Sequence, residues 1–440
     1  MTNTTPTTTQ QPIRPANPLH DDFSSFTHFA GFDWGVEQHR ICIVDKQGAI
    51  LVSFHFDNDA DGWRSTAATL AKFPHLAVAI ETSCGPAVER LLDLGVRVYP
   101  MNPKAAERYR DRKAPSGVKS DELDGWAFGD ALRTDGHGWR ALVPLDPATA
   151  ELRILCRDEI ALIEQRTAFV LQLKAALHEY FPVSLQAFDD WTHPATWNFI
   201  LAFESPDALA KAGKRKWEKF LHVHKLYRPE TTSKRLALFE KALEFVNPSK
   251  AVNNAKALLA VTLARQLLAL QPQLDEYRAR IKRQFDDHPD HGCFGSLPGA
   301  GEKLAPRLLA EFGADRNRFQ SHQSVQAYAG TAPVTQQSGK SSFVHVRWAC
   351  NKTLRATVHM WADLSRNSCA WAEAYYQQKK NQGKSHATAL RCLGNRWLKI
   401  LWTMWQNRTA YNEALHMQNQ VRHGSWVIGL TNTTTAAATH

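Results

Sequence analysis

The sequence predicts an α/β domain followed by a much longer all-α region. Strand-like apolar runs are confined to the part before Met101, apolar residues recur three and four apart from residue 150 to about 290, and helical spacing returns in the C-terminal third. The chain is 440 residues long, enough for two or three domains and a substantial core. No apolar run approaches the ~20 residues that a membrane helix needs. The opening, residues 1–27, is rich in Thr, Gln and Pro without an apolar stretch, and reads as a disordered tail and not a signal peptide.

Residues 28–149 form the α/β domain. Strand-like runs fall at His28–Trp34, Arg40–Asp45 and Ala49–Phe56, and Lys46-Gln47-Gly48 turns the second into the third as a hairpin. An amphipathic stretch, Gly62–Phe73, precedes a strand, Leu76–Ile80, that ends in Glu81. A helix over Pro86–Leu94, a short strand over Val96–Pro100 and helical segments from Asn102 and Asp121 complete it.

Four acids stand out in this domain. Asp33 ends the first strand and Glu81 the fourth, while Asp121 and Asp124, three apart at the opening of a helix, leave the same helix face. Gathered at one point, such hard carboxylate oxygens suit Mg²⁺ or Mn²⁺, and acidic clusters of this kind cut phosphodiesters. Each acid also has a plainer reading. Asp121 fits the first turn of a helix, where free N–H groups and the helix dipole favour negative charge, and Asp33 fits a turn before Trp34-Gly35.

Residues 150–290 read as helical. Leu155, Leu162 and Phe169 recur at seven, with Ile163, Val170 and Leu177 as an adjacent stripe. Leu263, Leu267, Leu270, Leu274, Tyr277 and Ile281 form a coiled-coil seam that Pro272 should kink; it suits a helical hairpin within the chain or a dimer seam. Between the two lies a basic stretch, Lys211-Ala212-Gly213-Lys214-Arg215-Lys216-Trp217, a candidate phosphate-contacting surface.

The third region, residues 291–420, carries the excess charge of a chain whose net charge is +10. After residue 290 there are 17 Lys/Arg against 6 Asp/Glu, whereas the first 290 residues are balanced at 36 against 37. A basic region beside an acidic cluster suits a nucleic-acid enzyme, in which cations neutralise phosphates while carboxylates hold metal. Leu297-Pro298-Gly299-Ala300-Gly301 before Leu304, Leu308 and Leu309 resembles one hairpin of a helix-hairpin-helix element, with Gly299 and Gly301 offering backbone N–H groups to phosphate; an ordinary glycine turn opening a helix is the rival. A tract that interleaves aromatics with cations follows, and Lys340, Arg347, Lys352 and Arg355 are its candidate nucleic-acid contacts, while many of its tryptophans belong to the core. Residues 421–440 read as a tail. The seven cysteines have no metal-knuckle or redox spacing and are expected as free thiols in a reducing cytoplasm.

Three antiparallel strands followed by alternating helix and strand is the order of the ribonuclease H and RuvC-like fold, in which acids on the first strand, the fourth strand and a late helix meet around metal. The sequence then resembles a known family, the DEDD-motif transposases of bacterial insertion sequences, which include bridge-RNA-guided recombinases and related DNA invertases. Gly31-Phe32-Asp33, Ile80-Glu81-Thr82-Ser83 and Lys119-Ser120-Asp121 with Asp124 carry the N-terminal resemblance; Leu297–Gly301 and Tyr328-Ala329-Gly330-Thr331-Ala332-Pro333 with Ser338-Gly339 carry the C-terminal one. It runs from about residue 28 to about residue 415. The resemblance implies a RuvC-like domain, a helical coiled-coil spacer and a C-terminal transposase domain with a nucleophilic serine at Ser338. Many relatives have a serine doublet there; here Gln337 precedes Ser338, and Ser341 or Ser342 follows if the alignment slips. It further implies a covalent serine–DNA phosphoester, double-stranded donor and target DNA, a noncoding guide RNA, and a homodimer or homotetramer whose subunits share active sites. The location implied is the cytoplasm, at the nucleoid, and no membrane is involved. The rivals are a hydrolytic RuvC-like nuclease, with Ser338 incidental, a site-specific DNA invertase, and a non-catalytic nucleic-acid-binding protein.

Overall fold

The computed structural model describes residues 23–113, 121–227, 229–244, 249–339 and 341–424. The chain divides into two compact units, Met1–Pro144 and Leu145–His440, and each is described by itself.

The first unit is a five-stranded sheet in the order β3-β2-β1-β4-β5. The strands are β1 (His28–Asp33), β2 (Gln38–Asp45), β3 (Ile50–Asp57), β4 (Leu76–Ile80) and β5 (Arg97–Pro100). β1, β2 and β3 pair antiparallel, whereas β4 and β5 run parallel to β1. The helices are α1 (Ala60–Leu70), α2 (Pro86–Asp93), α3 (Pro103–Lys113) and α4 (Asp121–Asp135). Strand alternation sorts the core into two layers. Ala30, Phe32, Val78 and Ile80 pack with Trp63, Val88 and Leu91 of α1 and α2, while Phe29, Ala77 and Ala79 pack on the other face with Phe128, Ala131 and Leu132 of α4. Burying both faces requires strands that are apolar almost throughout, as β4 is at every position.

Glycines bring α4 unusually near β1. A side chain at Gly31 would put its Cβ 2.0 Å from the Gly125 carbonyl oxygen and 2.6 Å from the Gly129 nitrogen. Gly125 and Gly129 lie four apart and so share a helix face, and both rest on Gly31 and Cys42. Helix backbone meets strand backbone because three Cβ atoms are missing at the crossing.

The second unit is mainly helical. α5 (Pro147–Tyr180) starts at an N-cap, Asp146, whose carboxylate accepts from the Thr149 N–H, with Pro147 at the first helical position. After it come α6 (Pro194–Ala202), α7 (Pro206–Val223), α8 (Pro229–Glu244) and α9 (Lys250–Asp286). α5 and α9 pack antiparallel: Glu179 pairs with Lys256 at 2.7 Å near one end, and Glu159 with Arg278 at 3.2 Å further along. The leucine seam of α9 is therefore covered by α5 of the same chain, and the helix runs on through Pro272. On α5 the buried line is Leu152, Cys156, Glu159, Val170, Leu173, Leu177 and Tyr180, so Val170 and Leu177 of the expected adjacent stripe are buried, whereas Leu155, Leu162, Ile163 and Phe169 are only half-buried. The two helices carry a core at each end, one with the aromatic cluster of Trp197, Phe199 and Trp217, the other with the C-terminal helices. Between these cores the packing is polar, with buried Glu159 bound by Arg278 and, at 2.9 Å, by Arg307.

The C-terminal part comprises α10 (His291–Gly295), α11 (Gly301–Phe312), α12 (His322–Tyr328), α13 (Lys352–Ser365), α14 (Ala370–Asn381), α15 (His386–Asn407) and α16 (Glu413–Arg422). Trp361, Trp371, Trp397 and Trp405 are fully buried in its core. A two-stranded ribbon, β6 (Val334–Ser338) and β7 (Ser341–His345), interrupts the helices. The sequence reading had no strands here, because the ribbon packs no apolar face and so lacks the alternation that marks a strand. All seven cysteines are free. Among the described residues no helix is long and apolar enough to cross a membrane.

Candidate functional site

Two groups of predicted site residues lie in different units. In the first unit, Phe32 and Ile80 form the last registered pair of β1 and β4, and Asp33 and Glu81 are the next residue on each strand. By strand alternation Asp33 shares a face with Phe29 and Gly31, and Glu81 continues the parity of Ala77 and Ala79, so both positions belong to the face that α4 covers. Gly129 abuts Ala30 and the Gly31 nitrogen, while Gly125 abuts the Gly31 carbonyl. Going back along α4 toward its start is therefore going toward the Asp33 end of β1. Asp124 precedes Gly125 by one residue, and Asp121 begins the helix.

Asp124 is 2% exposed. Its Oδ2 accepts a 2.8 Å bond from Nη1 of Arg110 on α3, and its buried Oδ1 has no partner among the described residues. A buried acceptor without a donor is costly, and a cation would satisfy it. Asp33 and Glu81 are half-buried. Among the described residues no three Asp, Glu, His or Cys side chains stand close enough to hold an ion, and the side chain of Asp121 lies outside the described residues. By donor type, the carboxylates of Asp33, Glu81 and Asp124, the last with a buried oxygen that has no partner among the described residues, suit a hard divalent cation. Arg110 gave no signal in the sequence; it is one of several cations on a polar helix, and only the fold turns it toward Asp124.

In the second unit Ser338 is the last residue of β6, directly opposite Ser341 and next to Gly339, whose φ of 56° fits a tight two-residue hairpin turn. Lys340 lies outside the described residues. Ser338, Ser341 and Ser342 are all exposed. Facing pairs share one side of a ribbon, so Ser341 lies on the Ser338 side and Ser342, opposite Gln337, on the other.

Both roots of this ribbon are locked. Before it, Thr331 donates to Asn395 Oδ1 at 2.8 Å, and Gly330 leaves room for Cys350, whose Sγ would lie 2.6 Å from any Cβ there. After it, Asn351 donates to Glu311 at 2.6 Å and to the Tyr328 hydroxyl at 2.8 Å. Glu311 is 2% exposed and takes two bonds from Arg157, at 2.8 and 3.1 Å. Burial alone would raise its pKa, but the bonds and charge of Arg157, with Arg153 and Asn351, hold this carboxyl below the usual range. Glu311 and Asn351 were not legible as positioning groups, since both partners come from distant segments.

The nucleic-acid candidates separate. Gly299, at φ 75°, is needed for packing, because a Cβ there would fall 2.6 Å from the Ser365 nitrogen. Gly301 opens α11 in an exposed position with nothing near its Cβ direction. The expected helical hairpin has a first arm, α10, of only five residues. Arg347 is half-buried and donates to the Ala332 carbonyl at 3.3 Å, Lys352 is exposed at the start of α13, and Arg355 stacks over the exposed Trp348 at 5.8 Å.

The first unit thus has the mixed sheet of a RuvC-like DEDD domain, acids at the ends of neighbouring parallel strands, and it precedes a mainly helical region; this is the organisation of a DNA-processing enzyme. Comparison with known proteins gives the family. A DEDD-type IS110 transposase model matches residues 30–182, and a model described as transposase of the IS116/IS110/IS902 family matches residues 292–377. The mini-circle IS117 protein of Streptomyces coelicolor is 33% identical over 408 residues, which cover 88% of this chain and 96% of that one. A 42 kDa protein of insertion element IS900 from Mycobacterium paratuberculosis is 26% identical over 394 residues, covering 88% and 97%. A pilin gene-inverting protein of Moraxella lacunata is 26% identical over 156 residues, 34% of this chain and 44% of that protein. The chain belongs to the IS110/IS116/IS902 family of insertion-sequence transposases, enzymes that cleave and rejoin DNA.

Proposed function

We propose that this transposase moves its insertion sequence by cutting and rejoining double-stranded donor and target DNA through a phosphoserine formed on Ser338. Asp33, Glu81, Asp121 and Asp124 hold the Mg²⁺ or Mn²⁺ that assists. The observation that carries the reading is the glycine crossing of α4 over β1, which leaves Asp124 Oδ1 buried and without a partner among the described residues on the sheet face shared by Asp33 and Glu81. When bound, a divalent ion would polarise the scissile phosphate and stabilise the oxygens on either side of it.

Ser338 supplies the attacking oxygen. Its Oγ–P bond forms as the P–O bond to one strand end breaks, the serine loses its proton and the departing oxygen gains one. Attack by another strand's hydroxyl reverses the step and frees the serine. One phosphodiester replaces another, so no ATP is consumed. The locked ribbon roots suit a nucleophile that must be held still while exposed.

The division into residues 28–149, 150–290 and 291–420, between tails 1–27 and 421–440, is part of this reading. So is a homodimer or homotetramer in which acids and serine come from different subunits. Gly301, Lys340, Arg347, Lys352 and Arg355 contact nucleic acid in it, and Gly299 shapes the turn beside them. A noncoding guide RNA would choose the sites, which accords with a basic protein lacking an evident base-reading module. The enzyme would act in the cytoplasm at the nucleoid. Likeness to a gene-inverting protein keeps inversion as a second outcome of the same chemistry.

The test is to denature the enzyme after incubation with element-end DNA and Mn²⁺. A protein–DNA adduct that survives denaturation is expected; metal-dependent cutting with no adduct overturns the serine mechanism in favour of a hydrolytic nuclease. Asp124→Asn keeps an acceptor for Arg110 and removes the charge. It is expected to raise the Mn²⁺ concentration for half-maximal adduct formation by about 10–100-fold, and an unchanged metal titration would remove Asp124 from the site.

A further inference from the structure

The basic stretch of α7 has no part in either catalytic group. α7 is broken at Gly213, whose φ of 77° and ψ of 158° are not helical, and a second segment starts at Lys214. That segment is sharply two-sided. Trp217, Phe220 and Leu221 are buried; Trp217 stacks on Phe220 with ring centres 5.7 Å apart and donates its indole N–H to the Arg235 carbonyl at 3.0 Å. On the opposite side Arg215, Lys219 and His222, spaced four and three apart, form one exposed stripe, with Lys214 and Lys216 exposed beside it. His222 stacks on the exposed Tyr227, ring centres 3.9 Å apart and planes nearly parallel.

These cations are not spent on the fold. Lys211, Lys214, Arg215, Lys216 and Lys219 have no ion pair among the described residues, although Asp207 and Glu218 lie on the same helix and Glu240 on α8. Glu218 stands four residues after Lys214 and four before His222 yet forms no ion pair with either among the described residues, and no carboxylate lies on the line of Arg215, Lys219 and His222 itself. Lys214, Arg215, Lys216 and Lys219, four cations in six residues on the segment that Trp217 anchors from behind, form a positive ridge, with Lys211 just before the break at Gly213. The stripe from Arg215 to His222 spans about 10 Å at the ~1.5 Å helical rise, a length that meets successive phosphates of one strand. The apolar side of this helix is buried in its own core, so it has nothing to insert into a membrane.

We propose that this ridge is a DNA-backbone contact, by which the helical region grips the phosphates of duplex DNA irrespective of sequence. DNA is the polyanion on which an insertion-sequence transposase acts, and the charge complementarity requires only that. The inference is independent of the role of Ser338.

It is tested on the full chain by fluorescence anisotropy with a short DNA duplex of arbitrary sequence, titrated between about 50 and 200 mM salt. Arg215→Gln, Lys216→Gln and Lys219→Gln are combined. The slope of log K against log salt is negative and each lost phosphate contact makes it about 0.9 shallower, so the triple variant's slope is expected to be shallower by about 2–3 and its affinity lower by at least ~10-fold at the low-salt end. The charge-preserving variant, Lys216→Arg with Lys219→Arg, is expected to keep the native slope. An unchanged slope in the triple variant, with native melting and Trp217 fluorescence, overturns the proposal. Loss of binding to an RNA duplex with DNA binding intact overturns it too and assigns the ridge to RNA.

Discussion

Ser338→Ala is expected to abolish the denaturation-resistant adduct and to slow strand exchange by at least ~10³-fold, the scale on which removal of an enzyme's nucleophile acts. The substitution takes away one oxygen and little else. Ser338 is exposed at the end of β6, and the ribbon is held by its backbone ladder and by the clamps at Thr331 and Asn351. Stability should therefore change by no more than ~0.5 kcal/mol, and DNA affinity should persist. Ser341→Ala is the companion variant, because Ser341 faces Ser338 on the same side of the ribbon. It is expected to retain the adduct. Loss with Ser341→Ala and retention with Ser338→Ala would move the nucleophile across the hairpin; retention in both would end the serine mechanism.

Gly31→Ala should damage fold and chemistry together. The added methyl would sit 2.0 Å from the Gly125 carbonyl, 2.6 Å from the Gly129 nitrogen and 2.7 Å from Phe128 Cβ. The first two are backbone atoms of a helix packed across the sheet, so no side chain can simply swing aside. Helix α4 must retreat, at a cost of about 1–3 kcal/mol or more, which corresponds to a melting temperature lower by roughly 4 °C or more. The retreat moves Asp124 away from β1, so adduct yield should fall beyond what unfolding explains. Gly138→Ala is the matched control: nothing lies near its Cβ direction, and its effect should stay within ~0.5 kcal/mol. If Gly31→Ala melts like the native chain, the close crossing does not define this site.

Much of the first unit was legible because its chemistry is local. β1 and β4 announce themselves as apolar runs, each closed by an acid, and Lys46-Gln47-Gly48 marks the hairpin before β3. The leucine seam of α9 was equally plain, yet periodicity says only that a stripe is buried. Whether α5 or a second chain covers it depends on apolar contacts between segments far apart in sequence, Leu173 and Leu177 of α5 with Leu263 and Leu267 of α9 among them. On α5 the sequence marked Leu155, Leu162 and Phe169 with Ile163, Val170 and Leu177 as an adjacent stripe; Val170 and Leu177 are buried, and the buried line also takes in Glu159, which enters the interior where Arg278 and Arg307 meet it. A polar residue at a core position carries no apolar signal. The ribbon bearing Ser338 escaped for a related reason: with neither face buried, nothing forces its residues to alternate.

By itself the sequence determined the classes of residue and their order along the chain: acids closing two strands and opening a helix, a helical spacer, a basic region with a serine after its Gly-rich turn. It determined the family as well, since those motifs are written in consecutive residues. Only the tertiary structure decided which groups are neighbours. It laid α4 on Gly31 so that Asp124 is buried beside Arg110, it clamped the Ser338 ribbon through Glu311 and Asn351, and it left five cations of α7 without ion pairs among the described residues. The physical reason is the same in each case. Burial, pairing and close backbone approach are relations between segments far apart in sequence, and only the packed chain brings those segments together.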